Sequence, residues 1–200
     1  MLVYDRTCVT KVGGLSTAWR AGSGLYRGLG RIDASQGVAS WDEALAWLAA
    51  LPSPIQEIQY WGHGRWGRAM VDNDALDARA LVPGGTLHAP LRAVRARLAP
   101  DALLWFRTCE TFGATAGIAF AEQLADFLGA RVAGHTYVIG VNQSGLHGLV
   151  PGARADWAAD EGLAAGTPDA PTEAKSSRPW APRTITCFHG AVPPAWFAAA

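Results

Sequence analysis

Ile58-Gln59-Tyr60-Trp61-Gly62-His63-Gly64 and Leu103-Leu104-Trp105-Phe106-Arg107-Thr108-Cys109 decide the reading of this chain. Each is an apolar run of strand length that ends on a reactive side chain, an imidazole in the first and a thiol in the second. Ala102 to Phe106 is apolar without alternation, as suits a strand covered on both faces of a parallel sheet. If the two runs are parallel neighbours, His63 and Cys109 share one sheet edge. Ligands of open α/β sheets bind at the carboxyl ends of strands. A thiol with an imidazole partner suits nucleophilic catalysis.

Outward from these runs, strands and helices alternate. A first strand is expected over 2–8, centred on Leu2-Val3-Tyr4. The Gly-rich stretch from Gly13 to Gly30, with Trp19 and Tyr26, reads as a long loop or irregular hairpin, with a short strand around Leu29 to Ile32. Ser40-Trp41-Asp42-Glu43 has the spacing of a capping box and opens a helix that Pro52 and Pro54 stop. Ile55 to Trp61 is the next strand. Arg65 to Asn73 reads as a small hairpin or flap and Pro83-Gly84-Gly85 as a turn. Leu87, Leu91, Val94 and Leu98 recur at helical spacing, as do Ile118, Phe120, Leu124 and Phe127, the latter helix ending at Gly129. A strand over 131–139 follows. The alternation predicts an α/β fold with a mainly parallel central sheet of about six strands.

From Gly152 the pattern stops. Residues 164–182 are rich in Ala, Gly, Pro, Thr and Ser, and Thr184 to Phe188 reads as one more strand. The expected organisation is an α/β core over 1–151, a mobile loop or linker over 152–183, and a returning strand with a tail over 184–200.

Bulk composition narrows the function. Lys plus Arg and Asp plus Glu both number 17, so the formal net charge is zero and there is no electrostatic footprint for nucleic acid or an anionic membrane. Three cysteines, Cys8, Cys109 and Cys187, are too few for a disulfide framework, although one pair remains possible. Met1-Leu2-Val3-Tyr4-Asp5-Arg6 lacks the basic and long apolar regions of a secretory signal, and there is no apolar window of ~18 residues. A cytoplasmic location is the default expectation. Nine tryptophans suit a core or a lined cleft.

His63 and Cys109 are the candidate catalytic pair. Gly64 lets the backbone approach a bound carbonyl, and its N–H with that of Cys109 makes a candidate oxyanion hole. A zinc site from Cys109, His63, His135 and His147 is the metal alternative, but it lacks a close-spaced ligand pair, so no metal or other cofactor is expected. Ser144 lacks the Gly-x-Ser-x-Gly elbow, and Gly28-x-Gly30 lacks the spacing of a dinucleotide loop.

The order of apolar strand, His63-Gly64, helix, apolar strand, Cys109, helix resembles the caspase-like cysteine peptidases, a group that includes caspases, legumain, gingipain and clostripain. Ile55 to about Gly148 is most similar to a bacterial caspase-like domain of uncharacterised function found in large repeat-bearing surface proteins. There too a helix like Gly117 to Leu124 leads to a strand like Gly129-Ala130-Arg131-Val132-Ala133. The resemblance implies a caspase-like three-layer sandwich, with His63 as general acid/base and Cys109 as nucleophile on a peptide bond. It implies a peptide or protein partner, and a segment after Gly152 that is cut or moves. It also implies a substrate pocket near Asp5-Arg6 and His135-Thr136. Asp5 inward would favour a basic side chain and Arg6 inward an acidic one. Where caspases carry Gln-Ala-Cys-Arg-Gly, this chain has Arg107-Thr108-Cys109-Glu110-Thr111. A carboxylate at Glu110, if turned inward, would oppose a thiolate. The alternative to a peptidase is a catalytically inactive binding or scaffold domain with the same fold.

Overall fold

The computed structural model describes residues 1–9, 14–52 and 54–198. In chain order the elements are β1 (Leu2–Asp5), α1 (Leu15–Gly28), β2 (Ser35–Val38), α2 (Trp41–Ala49) and β3 (Ile55–Trp61). A meander follows, of β4 (His63–Arg65), β5 (Arg68–Val71) and β6 (Asp74–Asp77), and then a 3-10 turn at Ala78–Leu81. Next come α3 (His88–Arg95), β7 (Leu98–Arg107), α4 (Ala114–Leu128) and β8 (Arg131–His135). The C-terminal third holds β9 (Asn142–Gln143), β10 (Leu146–Leu149), β11 (Leu163–Thr167), β12 (Ala170–Ala174), β13 (Ile185–Thr186) and β14 (Phe197–Ala198).

The central sheet has the order β14-β10-β8-β7-β3-β1-β2, seven strands among the described residues. β2, β1, β3, β7 and β8 run parallel, and β10 joins β8 antiparallel, so the fold is mixed α/β around a mostly parallel sheet. The chain leaves β1 for β2 on one side and returns to place β3 on the other. This makes a topological switch point between β1 and β3.

Period-two alternation sorts the central strands onto two faces. Ile58, Tyr60, Leu104 and Phe106 join the larger core with Leu45 of α2, Leu91 of α3 and Phe120 of α4. On the other face, Leu103 and Trp105 meet Ile185 and Val192, while Leu2 and Trp61 meet Tyr26 of α1. One face therefore carries α2, α3 and α4, joined by Ala153 and Trp157, and the other carries α1 and the segment around Ile185 and Val192.

Local chemistry explains the helix ends. The Ser40 hydroxyl accepts from the Glu43 N–H at 3.2 Å, and the Glu43 carboxylate returns to the Ala39 N–H at 2.9 Å. This is the expected capping exchange displaced by one residue. Gly129 ends α4 at φ 60°, in the left-handed region.

Several expectations are corrected. The stretch expected as a loop or hairpin is largely the helix α1; Gly13 lies outside the described residues. Its buried Ser16, Ser23 and Tyr26 and partly buried Trp19 recur at helical spacing, a signal that three glycines within the helix had masked. The second strand is Ser35–Val38 rather than Leu29 to Ile32, the first strand ends at Asp5, and the eighth ends at His135. The segment expected as a mobile loop or linker over 152–183 contains the β11–β12 hairpin and the buried Trp157. The Trp157 indole N–H donates to the Phe112 carbonyl at 3.1 Å. Ile185–Thr186 pairs with Asn142–Gln143 outside the central sheet, and the strand that returns to that sheet is Phe197–Ala198. No helix is long and apolar enough to cross a membrane among the described residues.

Candidate active site

β3 and β7 are parallel neighbours, with Trp61 opposite Arg107. His63 and Cys109 each lie two residues past that pair, so both follow the carboxyl ends of adjacent strands. Both line one cavity of about 410 Å³ at the switch-point side of the sheet, roofed by α1 and the segment around Cys187. The two residues singled out in sequence are thus brought together. Among the described residues no hydrogen bond joins imidazole to thiol. The His63 ring stands edge-on to Trp19 of α1 with centroids 5.4 Å apart, and the Cys109 thiol points to the Ile139 carbonyl at 4.0 Å.

The loop after β7 is tightly specified. The Thr108 and Thr111 hydroxyls share a hydrogen bond of 2.5 Å. The N–H groups of Glu110 and Phe112 are taken by the carbonyls of Tyr137 at 3.0 Å and His135 at 2.9 Å. The Cys109 N–H has no such partner among the described residues. A Cβ at Gly64 would fall 2.5 Å from the Cys109 carbonyl oxygen and against the Thr111 hydroxyl, so only glycine permits this approach of the two strand ends. Trp66 and Gly67 form a two-residue turn between β4 and β5, with Gly67 at φ 78° and Arg65 opposite Arg68. The pair flanking such a turn holds the close hydrogen bonds, and the next pair, Gly64 with Ala69, does not. The Gly64 N–H therefore points away from β5. Among the described residues neither candidate oxyanion donor has a hydrogen-bond acceptor.

The electrostatics disfavour a resting thiolate. Burial pushes the Cys109 thiol above its ordinary range, and the Glu110 charge adds to this. Burial also raises the Glu110 carboxyl to about 7, against the opposing pull of Arg65. One Glu110 oxygen is buried without a hydrogen-bond partner, and its backbone sits at φ 29°.

The proposed pocket residues lie elsewhere. The buried Asp5 carboxylate accepts from the Thr7 N–H at 2.7 Å and the Thr7 hydroxyl at 2.6 Å. Arg6 is exposed and pairs with Glu43 at 2.8 Å. His135 is fully buried and its Nδ1–H donates to the Ser144 carbonyl at 3.0 Å. The Thr136 hydroxyl donates to Glu161 at 2.9 Å. None of the four lines the cavity. His147 is likewise remote, held between Glu161 at 2.7 Å and Arg183 at 2.8 Å. No group of three or more His, Cys, Asp or Glu suited to a metal ion occurs among the described residues.

The cavity has walls that sequence reading passed over: Trp19 and Tyr26 of α1, Gln143, Cys187 and Arg107. Arg107 was legible, because it closes the same apolar run two residues before Cys109 and so stands at the carboxyl end of the strand. Gln143 and Cys187 were not, because they arrive through the irregular C-terminal stretch. No known protein family, curated protein or solved structure matches this chain.

Proposed function

We propose that the chain is a cysteine endopeptidase of caspase-like type, with Cys109 as nucleophile and His63 as general acid/base. The observation that carries this reading is the convergence of the two side chains, from adjacent parallel strand ends, on one apolar cavity. The N–H groups of Cys109 and Gly64, which have no acceptor among the described residues, support it, since an oxyanion needs donors with no other partner.

The chemistry follows from these groups. The Cys109 sulfur bonds to the scissile carbonyl carbon as the thiol proton passes to His63, and the two N–H groups take the oxyanion. The C–N bond breaks as His63 protonates the leaving amine. Water then adds to the thioester and gives a proton to His63. The C–S bond breaks, the proton returns to sulfur, and a carboxylic acid leaves. Because burial keeps the resting thiol protonated, deprotonation accompanies substrate entry rather than preceding it.

A denatured-proteome peptide library, read by mass spectrometry for new termini, tests the proposal. Wild type is expected to generate cleavages, and Cys109→Ala and His63→Ala to lose them by at least about 10³-fold. Equal yields from all three proteins would overturn it. The raised thiol and the absence of an imidazole–thiol hydrogen bond favour a second reading, an inactive binding domain. Peptide binding without cleavage by wild type would establish that one.

A further inference from the structure

His147 is buried on β10, with its ring stacked on Trp157 at a centroid distance of 4.5 Å. The partners of its two nitrogens fix the tautomer. A guanidinium can only donate, so Nδ1, 2.8 Å from Arg183 Nη1, accepts. The ring proton is therefore on Nε2, which donates to Glu161 Oε1 at 2.7 Å, and the imidazole is neutral. Asp156 stands beside this pair. Its Oδ2 accepts from Arg183 Nη2 at 3.1 Å, and its Oδ1 lies 3.9 Å from His147 Nδ1. The titratable neighbour on the adjoining strand β8, His135, is pushed down to about 3 by burial and carries no charge above that pH.

The cluster thus sets two carboxylates, Glu161 and Asp156, against one guanidinium. With His147 neutral it is one positive charge short. A proton from solvent would balance it, and the ring nitrogen open to that proton is Nδ1. There the new N–H would face the N–H of Arg183, donor against donor and cation against cation, so the two cannot share the position. Asp156 can take the new N–H instead. Closing 3.9 Å to hydrogen-bond length needs about 1 Å of movement by a half-exposed side chain.

Arg183 holds more than His147. Its Nη1 also reaches the Trp196 carbonyl at 3.4 Å, and its backbone stands at φ 44°, in the left-handed region that residues other than glycine rarely adopt. Such a conformation persists where surrounding contacts enforce it. Four residues later, Cys187 forms part of the cavity roof. Between them, Ile185–Thr186 pairs with Asn142–Gln143 over two residues only. The roof has inner anchors as well, since Arg107 and Tyr26 donate to the Cys187 carbonyl at 3.0 and 2.8 Å.

We propose that His147 is a proton-operated latch on the strand that leads into the cavity roof. Uptake of one proton at Nδ1 passes that nitrogen from Arg183 to Asp156, and the freed Arg183 side chain releases residues 182–186. The inner anchors keep Cys187 in place, so the outer margin of the roof opens locally while the fold persists. The latch operates whether or not the chain cleaves peptides.

Amide hydrogen exchange of the full chain, read by mass spectrometry and corrected for the intrinsic effect of pH, tests this between about pH 8 and about pH 5, the span over which histidine side chains change charge. Exchange in peptides covering 182–187 is expected to rise about 10-fold at the lower pH, as loss of a charge-assisted hydrogen bond warrants, while β3 and β7 stay protected. In Asp156→Asn one carboxylate already balances one guanidinium, so the rise should vanish. Asp156 is half-exposed, and its amide isostere leaves the packing intact. Nitrogen spectra of histidine-labelled protein give a second readout, with the His147 signals identified by their loss in His147→Gln. The ring should carry its proton on Nε2 at about pH 8 and a second on Nδ1 at about pH 5. An imidazole still neutral at the lower pH overturns the latch. So does the absence of a rise in wild type, a rise of equal size in Asp156→Asn, or one shared equally by β3 and β7.

Discussion

Glu110 sits beside the nucleophile with a carboxyl raised by burial to about 7. Below that pH it is largely neutral, and above it ionises and opposes a second negative charge on Cys109. Raising the pH therefore both promotes thiolate formation and adds a charge that resists it. Glu110→Gln removes the second effect. The pH dependence of Cys109 alkylation by iodoacetamide, followed by mass spectrometry, is expected to move to lower pH in this variant. An unchanged profile would mean that the two groups do not communicate. The His63 and Cys109 positions were legible in sequence because each closely follows a largely apolar run of strand length. The pocket near Asp5, Arg6, His135 and Thr136 was not. Asp5 finds its partner in Thr7, while Arg6, His135 and Thr136 find theirs in Glu43, Ser144 and Glu161, and a sequence does not display such partners.

At the scale of elements, α1 forms one wall of the cavity, and its glycines differ in what surrounds them. A Cβ at Gly22 would lie 2.7 Å from a ring carbon of Trp61, whereas nothing lies within 4 Å of one at Gly24. Alanine gains about 0.5–1 kcal/mol over glycine inside a helix. At Gly24 that gain stands alone, and Gly24→Ala should raise stability by about that amount. At Gly22 the indole must move, and overpacking typically costs about 1–3 kcal/mol. Gly22→Ala should therefore destabilise, with paired urea titrations giving opposite signs. The same glycines explain why α1 was not legible: they lower helix propensity throughout, and its buried stripe of Ser16, Ser23 and Tyr26 is only weakly apolar. The strand β7 was legible because Leu103, Leu104, Trp105 and Phe106 fill both of its faces, and β3 because Ile55, Ile58, Tyr60 and Trp61 recur along it.

The whole molecule is tied together by its C-terminal third. Trp157 stacks on Phe112 and His147, and Glu161 joins His147 to Thr136. Burial lowers the His135 imidazole to about 3. For Glu161, burial would raise the carboxyl, but the hydrogen bonds from His147 and Thr136 leave it below its usual range. Both groups bind fewer protons folded than unfolded, so both remove stability as acid is added. The His135 contribution is complete above about pH 6.5 and declines as pH falls toward about 3. The Glu161 contribution declines below about 4.5. Urea midpoints should fall steadily from pH 7 to pH 3, and Glu161→Gln should flatten the lower part of that curve. A flat wild-type profile would remove this account. Sequence did not display the arrangement, because Ala, Gly and Pro dominate the segment and the few anchoring residues are spread among them.

Rings of Trp105, Trp61 and Tyr26, with centroids at 4.5, 5.2 and 5.8 Å, surround the buried Arg107 guanidinium that lines the cavity. Trp61 and Trp105 hold a positive charge against their indoles, and neither is exposed. Indole emission responds to nearby charge. A change in the surroundings of that guanidinium changes the field at two of the nine tryptophans. The cavity thus carries its own optical reporter, and its occupancy can be followed in the unlabelled protein from the light it emits.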